Sequence, residues 1–319
     1  MSEYPQVTRD DVLAAAKRIS GAVERTPLLG AEIRGNRVWL KCECLQTGGS
    51  FKLRGATNRL NQLSEEERNR GVVAFSSGNH AQGVAIAAKR LGIPAIIVMP
   101  SDAPRLKVEG TRAQGAEIIF FDRKTESREE IAARIASEKG SIVVPSYDDP
   151  DIVAGQGTVG LEILDQLEEA GAGPPARILV NCGGGGLTSG IALACPDADV
   201  IPVEPEGWDD MLRSLELGEI VPVGPNPPPT LCDAIQTLRV SPITFGILHA
   251  RGSQGLAVSE EETKAAVRWA WKEHGLVVEP GAAVSLAALL AGKVEIVPET
   301  VALLSGGNID PALHASLVS

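Results

Sequence analysis

Gly48-Gly49-Ser50-Phe51-Lys52-Leu53-Arg54-Gly55-Ala56 places one lysine directly after a turn of small residues and ahead of a helical run from Ala56 to Leu60. A lysine wedged among apolar neighbours loses its proton readily. Only the neutral amine attacks an aldehyde, so this is the setting of a Schiff-base lysine. Lysines at helix starts are as a rule simply solvated, and this one gains meaning from three further segments. Ser76-Ser77-Gly78-Asn79-His80, Gly183-Gly184-Gly185-Gly186-Leu187 and Ser305-Gly306-Gly307-Asn308 each follow an apolar, strand-like run. Ligands of open α/β sheets sit outside the carboxyl ends of strands, so these segments can converge on one edge.

The chain has 319 residues, more than one domain usually holds, so two lobes or one large α/β unit are expected. A hydrophobic content of 44% is ample for a core. The net charge of −11 argues against nucleic acid or an anionic membrane as partner. An anionic cofactor remains open, because local dipoles make phosphate sites. Five cysteines (42, 44, 182, 195 and 232) form no CxxC pair. Cys42 and Cys44 alternate on an expected strand, Val38 to Cys44, and read as buried packing rather than metal ligands. Reduced thiols, no signal pattern after Met1 and no apolar run long enough to span a bilayer lead us to expect a soluble cytoplasmic protein.

Short β-rich runs alternate with amphipathic helices, the pattern of a parallel sheet with crossovers. Strands are expected at Val38–Lys41, Gly71–Phe75, Ala95–Met99, Glu117–Phe121, Ser141–Val144, Ile178–Asn181, Val200–Glu204 and Thr300–Leu304. Helices are expected at Arg9–Ser20, Gly83–Leu91, Ala103–Ala113, Arg128–Lys139, Gly157–Ala170, Glu260–His274 and Ala282–Ala291. Ser259 and Glu262 form a capping box. Residues 71–144 read as a compact lobe inserted into a larger one, giving a large domain of 1–63 and 149–319 and a small domain of 64–148.

Gly183, Gly184, Gly185 and Gly186 let the backbone bend with its N–H groups inward, and a helix from Leu187 to Leu193 adds its positive dipole end. That is a phosphate cradle. A dinucleotide site is the rival, since Gly184-x-Gly186 opens a helix after a strand and Glu204 ends the next strand, where the ribose acid of a nicotinamide enzyme stands. Ser189 occupies the third glycine position of that pattern.

Taken in order, and with Ala154-Gly155-Gln156-Gly157-Thr158, Glu204-Pro205-Glu206 and Glu279-Pro280-Gly281-Ala282, these segments resemble the fold-type II pyridoxal-phosphate enzymes. Within them the match is to the serine/threonine dehydratase, hydroxyaspartate dehydratase and serine racemase group. The resemblance covers nearly the whole chain and implies a two-lobed α/β fold with pyridoxal phosphate between the lobes. It implies that Lys52 carries the cofactor, that Phe51 packs on the ring, that Asn79 meets the ring hydroxyl and that Ser305 meets the pyridine nitrogen. Gly183–Leu187 would hold the phosphate, and Glu279 belongs to the cofactor set. Ser76, Ser77, Asn79 and His80 would supply donors to the substrate carboxylate, with Arg128 and Thr237 as further substrate contacts. The expected reaction is elimination of water from serine, threonine or 3-hydroxyaspartate to a 2-oxo acid and ammonia, with the freed Lys52 amine removing the α-proton. Racemisation is the alternative within the family, with Ser77 opposite Lys52; a cofactor carrier without turnover is a third. Glu204, the Trp208 carbonyl and Asp210 match a divalent-cation site whose oxygen ligands suit Mg²⁺, Ca²⁺ or Mn²⁺. The resemblance also implies a homodimer. The chain stops soon after Asn308, so no appended regulatory domain is expected. Gly48, Cys232 and Ala234 depart from the frequent threonine, alanine and glycine of the family and leave the substrate preference open.

Overall fold

The computed structural model describes residues 6–76, 78–103 and 105–319. Its strands are β1 (Leu28–Ile33), β2 (Asn36–Lys41), β3 (Val72–Phe75), β4 (Ala95–Pro100), β5 (Glu117–Phe121), β6 (Ile142–Val143), β7 (Arg177–Asn181), β8 (Asp199–Pro205), β9 (Leu256–Val258) and β10 (Thr300–Leu303). Its helices are α1 (Arg9–Ile19), α2 (Lys52–Asn61), α3 (Glu65–Arg70), α4 (Asn79–Leu91), α5 (Arg105–Ala113), α6 (Arg128–Lys139), α7 (Pro150–Glu169), α8 (Gly186–Ala194), α9 (Asp210–Leu217), α10 (Pro242–Ala250), α11 (Glu260–His274), α12 (Pro280–Leu290) and α13 (Pro311–Val318).

Two sheets form. The larger runs β1-β2-β10-β7-β8-β9 and is parallel except for the β1–β2 pair at its edge. The smaller, β5-β4-β3-β6, is parallel throughout. Parallel strands covered on both faces read as continuous apolar runs, and Ala95–Pro100 is buried along its whole length. One core packs Leu40, Leu179 and Val203 against α11 and α12; a second packs Ile178 and Val180 against α7 and α8 on the opposite face of the larger sheet. Helix α2 contributes Leu53, Ala56 and Leu60 to the core of the small sheet, together with Ala81, Val84 and Ala85 of α4. The helix that begins at Lys52 is thus held by packing on that side.

The structure departs from expectation in places. β2 ends at Lys41, and Glu43–Leu45 is a 3₁₀ turn, so Cys42 and Cys44 do not lie on a strand. The Cys42 amide still donates to the Pro27 carbonyl in register with the β1–β2 pair, and the Cys44 amide donates to the Leu304 carbonyl as the chain turns. Both thiols are buried, and all five cysteines are free. Helix α7 begins at Pro150, well before Gly157, because Asp149 caps it and proline suits the first turn. Its glycines allow close helix contact: a Cβ at Gly157 would stand 2.6 Å from the Gly190 carbonyl oxygen on α8. The capping box of Ser259 and Glu262 forms as expected.

Candidate active site

The turn before α2 and the loops after β3, β7 and β10 open on one cleft of about 560 Å³. Phe51, Lys52, Ser76, Asn79, His80, Arg128, Thr237, Glu279, Ser305 and the segment Gly183–Leu187 all line it. Every expected cofactor- or substrate-binding residue among the described ones is therefore gathered at one place. Ser77 lies outside the described residues.

Lys52 is the first residue of α2. Its Nζ donates to the Ser146 carbonyl at 3.0 Å and stands 5.1 Å from the centre of the Phe51 ring. Burial disfavours its charged form and lowers its pKa to about 8, so about a tenth of it is neutral at pH 7, far more than of an ordinary lysine. Gly83 of α4 makes room for this helix start: a Cβ there would stand 3.0 Å from the Lys52 carbonyl carbon. Two residues on, Arg54 is fully buried and anchors the turn. Its guanidinium donates to both carboxylate oxygens of Glu43 at 2.8 Å, and to Glu162 at 2.7 and 2.9 Å.

At the other end of the cleft, the chain turns from β7 through Gly183–Gly186 into α8. Gly185 has φ +86°, a left-handed conformation that glycine adopts without strain, and no side chain caps the helix. The Gly184 carbonyl is held by the Thr244 hydroxyl at 2.8 Å. A Cβ at Gly184 would stand 2.3 Å from atoms of the Tyr147 ring, closer than any contact allows, so the loop and that ring are fitted to each other. An uncapped helix start facing a cleft offers free N–H donors and a positive dipole end, which suits a phosphate monoester. The Thr188 hydroxyl in the first turn is buried and makes no hydrogen bond among the described residues. The residues present fit pyridoxal phosphate, with an amine for its aldehyde and a helix start for its phosphate.

On the substrate side, α4 begins at Asn79, again without a side-chain cap. The Ser76 hydroxyl accepts the Gly78 amide at 3.1 Å. The His80 ring does not supply the expected carboxylate donor. Its Nε2 faces the Val144 carbonyl at 2.9 Å and must carry the proton there, which leaves Nδ1 an acceptor. Burial pushes its pKa down to about 3, so it stays neutral. The backbone N–H groups of the first turn of α4 are the donors this segment offers. The Asn79 amide is shared between Glu279 and the Asn308 side chain. Glu279 is buried, and burial raises its pKa to about 7. The Ser305 carbonyl accepts the Phe51 amide at 3.2 Å, tying the last loop to the lysine turn. Arg128 stands at the rim, 5.4 Å from the Phe75 ring and paired with Glu129 at 2.8 Å. The Thr237 hydroxyl is buried and makes no hydrogen bond among the described residues.

Glu204, Trp208 and Asp210 lie outside this cleft lining. Glu204 and Asp210 are almost fully buried. Glu204 accepts the Met211 and Leu212 amides at 3.0 and 2.8 Å, capping α9, whereas neither Asp210 carboxylate oxygen is hydrogen-bonded among the described residues. Burial pushes Glu204 well above the usual carboxylate range and Asp210 up to about 7. Glu204 is fully buried and lies outside the cleft lining, so it is not placed to meet a ribose beside the glycine loop, which counts against the nicotinamide alternative. Sequence reasoning missed Ser146, Tyr147, Asn308 and the Lys107–Asp233 ion pair, 2.6 Å long, which joins α5 to the loop carrying Thr237. Of these, Asn308 and Asp233 lay in segments already singled out.

The chain belongs to the pyridoxal-phosphate dependent enzymes, since the model of the family described as "Pyridoxal-phosphate dependent enzyme" matches residues 19–306. It is 44% identical over 318 residues to an L-threo-3-hydroxyaspartate ammonia-lyase of Pseudomonas sp., covering 97% of each chain. It is 39% identical to a serine racemase of Schizosaccharomyces pombe, covering 98% of this chain and 97% of the relative. A crystal structure of threonine deaminase from T.th. superposes with a TM-score of 0.87 at 42% identity, over 96% of this chain and 99% of the other.

Proposed function

We propose that the protein is an ammonia-lyase that eliminates water from a β-hydroxy amino acid, 3-hydroxyaspartate first among the candidates. The observation that carries this reading is the buried amine of Lys52, with lowered pKa, in the same cleft as an uncapped helix start. Bound pyridoxal phosphate would supply the aldehyde and a ring that draws negative charge from the substrate α-carbon. Lys52 would take the α-proton as the neutral amine. The first turn of α4 would hold the α-carboxylate, and the Arg128 guanidinium at the rim would suit a second carboxylate. The relative named an L-threo-3-hydroxyaspartate ammonia-lyase supports elimination. Racemisation is the second reading, favoured by the relative named a serine racemase. Incubation with L-threo-3-hydroxyaspartate, L-serine and L-threonine tests both. We expect ammonia and the 2-oxo acid in equal amounts; appearance of the product inverted at the α-carbon (D-serine from L-serine) without ammonia would establish racemisation instead.

We also propose that a divalent cation sits between Glu204 and Asp210 with the Trp208 carbonyl. Two buried carboxylates pushed upward together are relieved by a cation. Met211, next to Asp210, lies 2.7 Å from where a Gly185 Cβ would be, so order at that pair steadies the phosphate cradle. Chelation is expected to lower the melting temperature by a few degrees, about 1 kcal/mol in a chain of this size, with Mg²⁺, Ca²⁺ or Mn²⁺ restoring it. Unchanged melting in both the chelated parent and Asp210→Ala would remove the cation. A cytoplasmic homodimer completes the reading. Five buried thiols and the exposed Leu45, Trp271 and Val277 support it, and light scattering tests the assembly.

A further inference from the structure

Between β6 and α7, the short segment 145–148 reaches three parts of the cleft at once. The Ser146 carbonyl accepts the Lys52 amine. The Tyr147 ring lies where a Gly184 side chain would be, and its Cβ and Cα stand 3.1 and 3.2 Å from where a Cβ at Gly186 would be. The Tyr147 hydroxyl donates to the Arg239 carbonyl at 3.1 Å. Arg239 belongs to the loop 236–241, which brings Thr237 into the cleft. A phenylalanine would fill the same wall, so the hydroxyl is what needs explaining. Burial raises the phenol pKa, which keeps the hydroxyl a donor at neutral pH.

We propose that Tyr147 is a positioning residue that couples the phosphate cradle to the substrate-side loop. Its ring forms the wall against which the glycine loop holds its N–H groups inward, and its hydroxyl fixes the loop that carries Thr237. The ring therefore acts on the cofactor, and the hydroxyl acts on the substrate. The kinetic half of this inference rests on the proposed ammonia-lyase activity; the cofactor half rests only on family membership.

The test compares the holoenzyme with Tyr147→Phe, Tyr147→Leu and Tyr147→Ala. Pyridoxal phosphate affinity is measured by absorbance titration after the bound cofactor has been resolved, and ammonia release is followed with 3-hydroxyaspartate. Loss of one hydroxyl–carbonyl hydrogen bond corresponds to about three- to tenfold in an equilibrium constant. Tyr147→Phe is expected to raise KM by that factor, with kcat and cofactor affinity within about twofold of the parent, as loss of uniform binding does. Tyr147→Ala is expected to weaken cofactor binding about tenfold or more, since the wall itself is gone. Tyr147→Leu keeps apolar bulk and stands in should the alanine variant melt far below the parent. Parental cofactor affinity in a folded Ala or Leu variant, or a Phe variant with parental KM, overturns the proposal. Should the parent release no ammonia from any β-hydroxy amino acid, the activity reading fails by itself. The hydroxyl is then read from the spectral titration of parent and Phe variant with L-serine, where the same factor is expected.

Discussion

Lys52→Ala will fold, will not become coloured on cofactor addition by covalent attachment, and will release ammonia at least about 10³-fold more slowly than the parent, the scale of a lost general base. The structure places Lys52 against the Ser146 carbonyl, with burial lowering its pKa to about 8. Attachment of cofactor by the resolved parent should therefore quicken as pH rises through about 8, because only the neutral amine reacts. The linkage has a definite sign. A lysine whose folded pKa is depressed destabilises the fold below that pKa, and the penalty fades as pH rises from about 8 toward the unfolded value near 10.4. Cofactor-free Lys52→Ala should accordingly melt at or above the parent at pH 7, where activity and stability part company. A variant with parental turnover would remove Lys52 from the chemistry.

Arg54→Ala will destabilise the protein by about 3–5 kcal/mol, the range for removing one partner of a buried ion pair. Glu43 would be left fully buried without the guanidinium that now meets both its oxygens. Glu162 would keep Lys41, 2.6 Å away. Because Arg54 lies in the first turn of the helix that begins at Lys52, the variant should also bind cofactor more weakly. Arg25→Ala is the control: its pair with Glu169 is largely exposed, and such pairs are worth about 0–1 kcal/mol. Chemical denaturation of the two variants measures the contrast; equal, small losses would mean that the buried network contributes little.

The elements legible in the sequence were those with a strong local signal. Apolar runs such as Ala95–Met99 and Ile178–Asn181 appear as buried parallel strands, and the amphipathic run Arg128–Lys139 is a helix end to end. The elements that escaped were weakly patterned. β1 alternates little and pairs only at the edge, β9 has three residues, and α9 depends on the Glu204 carboxylate for its first amides. The site followed the same rule. Glycine and serine loops at strand ends marked the cleft, because their backbone geometry is written in their composition. Tyr147 and Ser146 carried no such mark: one acts through a ring packed on a distant glycine, the other through a carbonyl. His80 was legible as a residue of the cleft but not in its role, since its ring partner, Val144, lies 64 residues further along the chain.

The cofactor is expected on Lys52 and on no other lysine. Borohydride reduction of the holoenzyme, followed by digestion and mass spectrometry, reads the point of attachment. The label is expected on the peptide containing Ser50-Phe51-Lys52, in proportion to the colour lost. A label on Lys107, the other lysine lining the cleft, or a coloured protein that yields no labelled Lys52 peptide, would contradict the assignment.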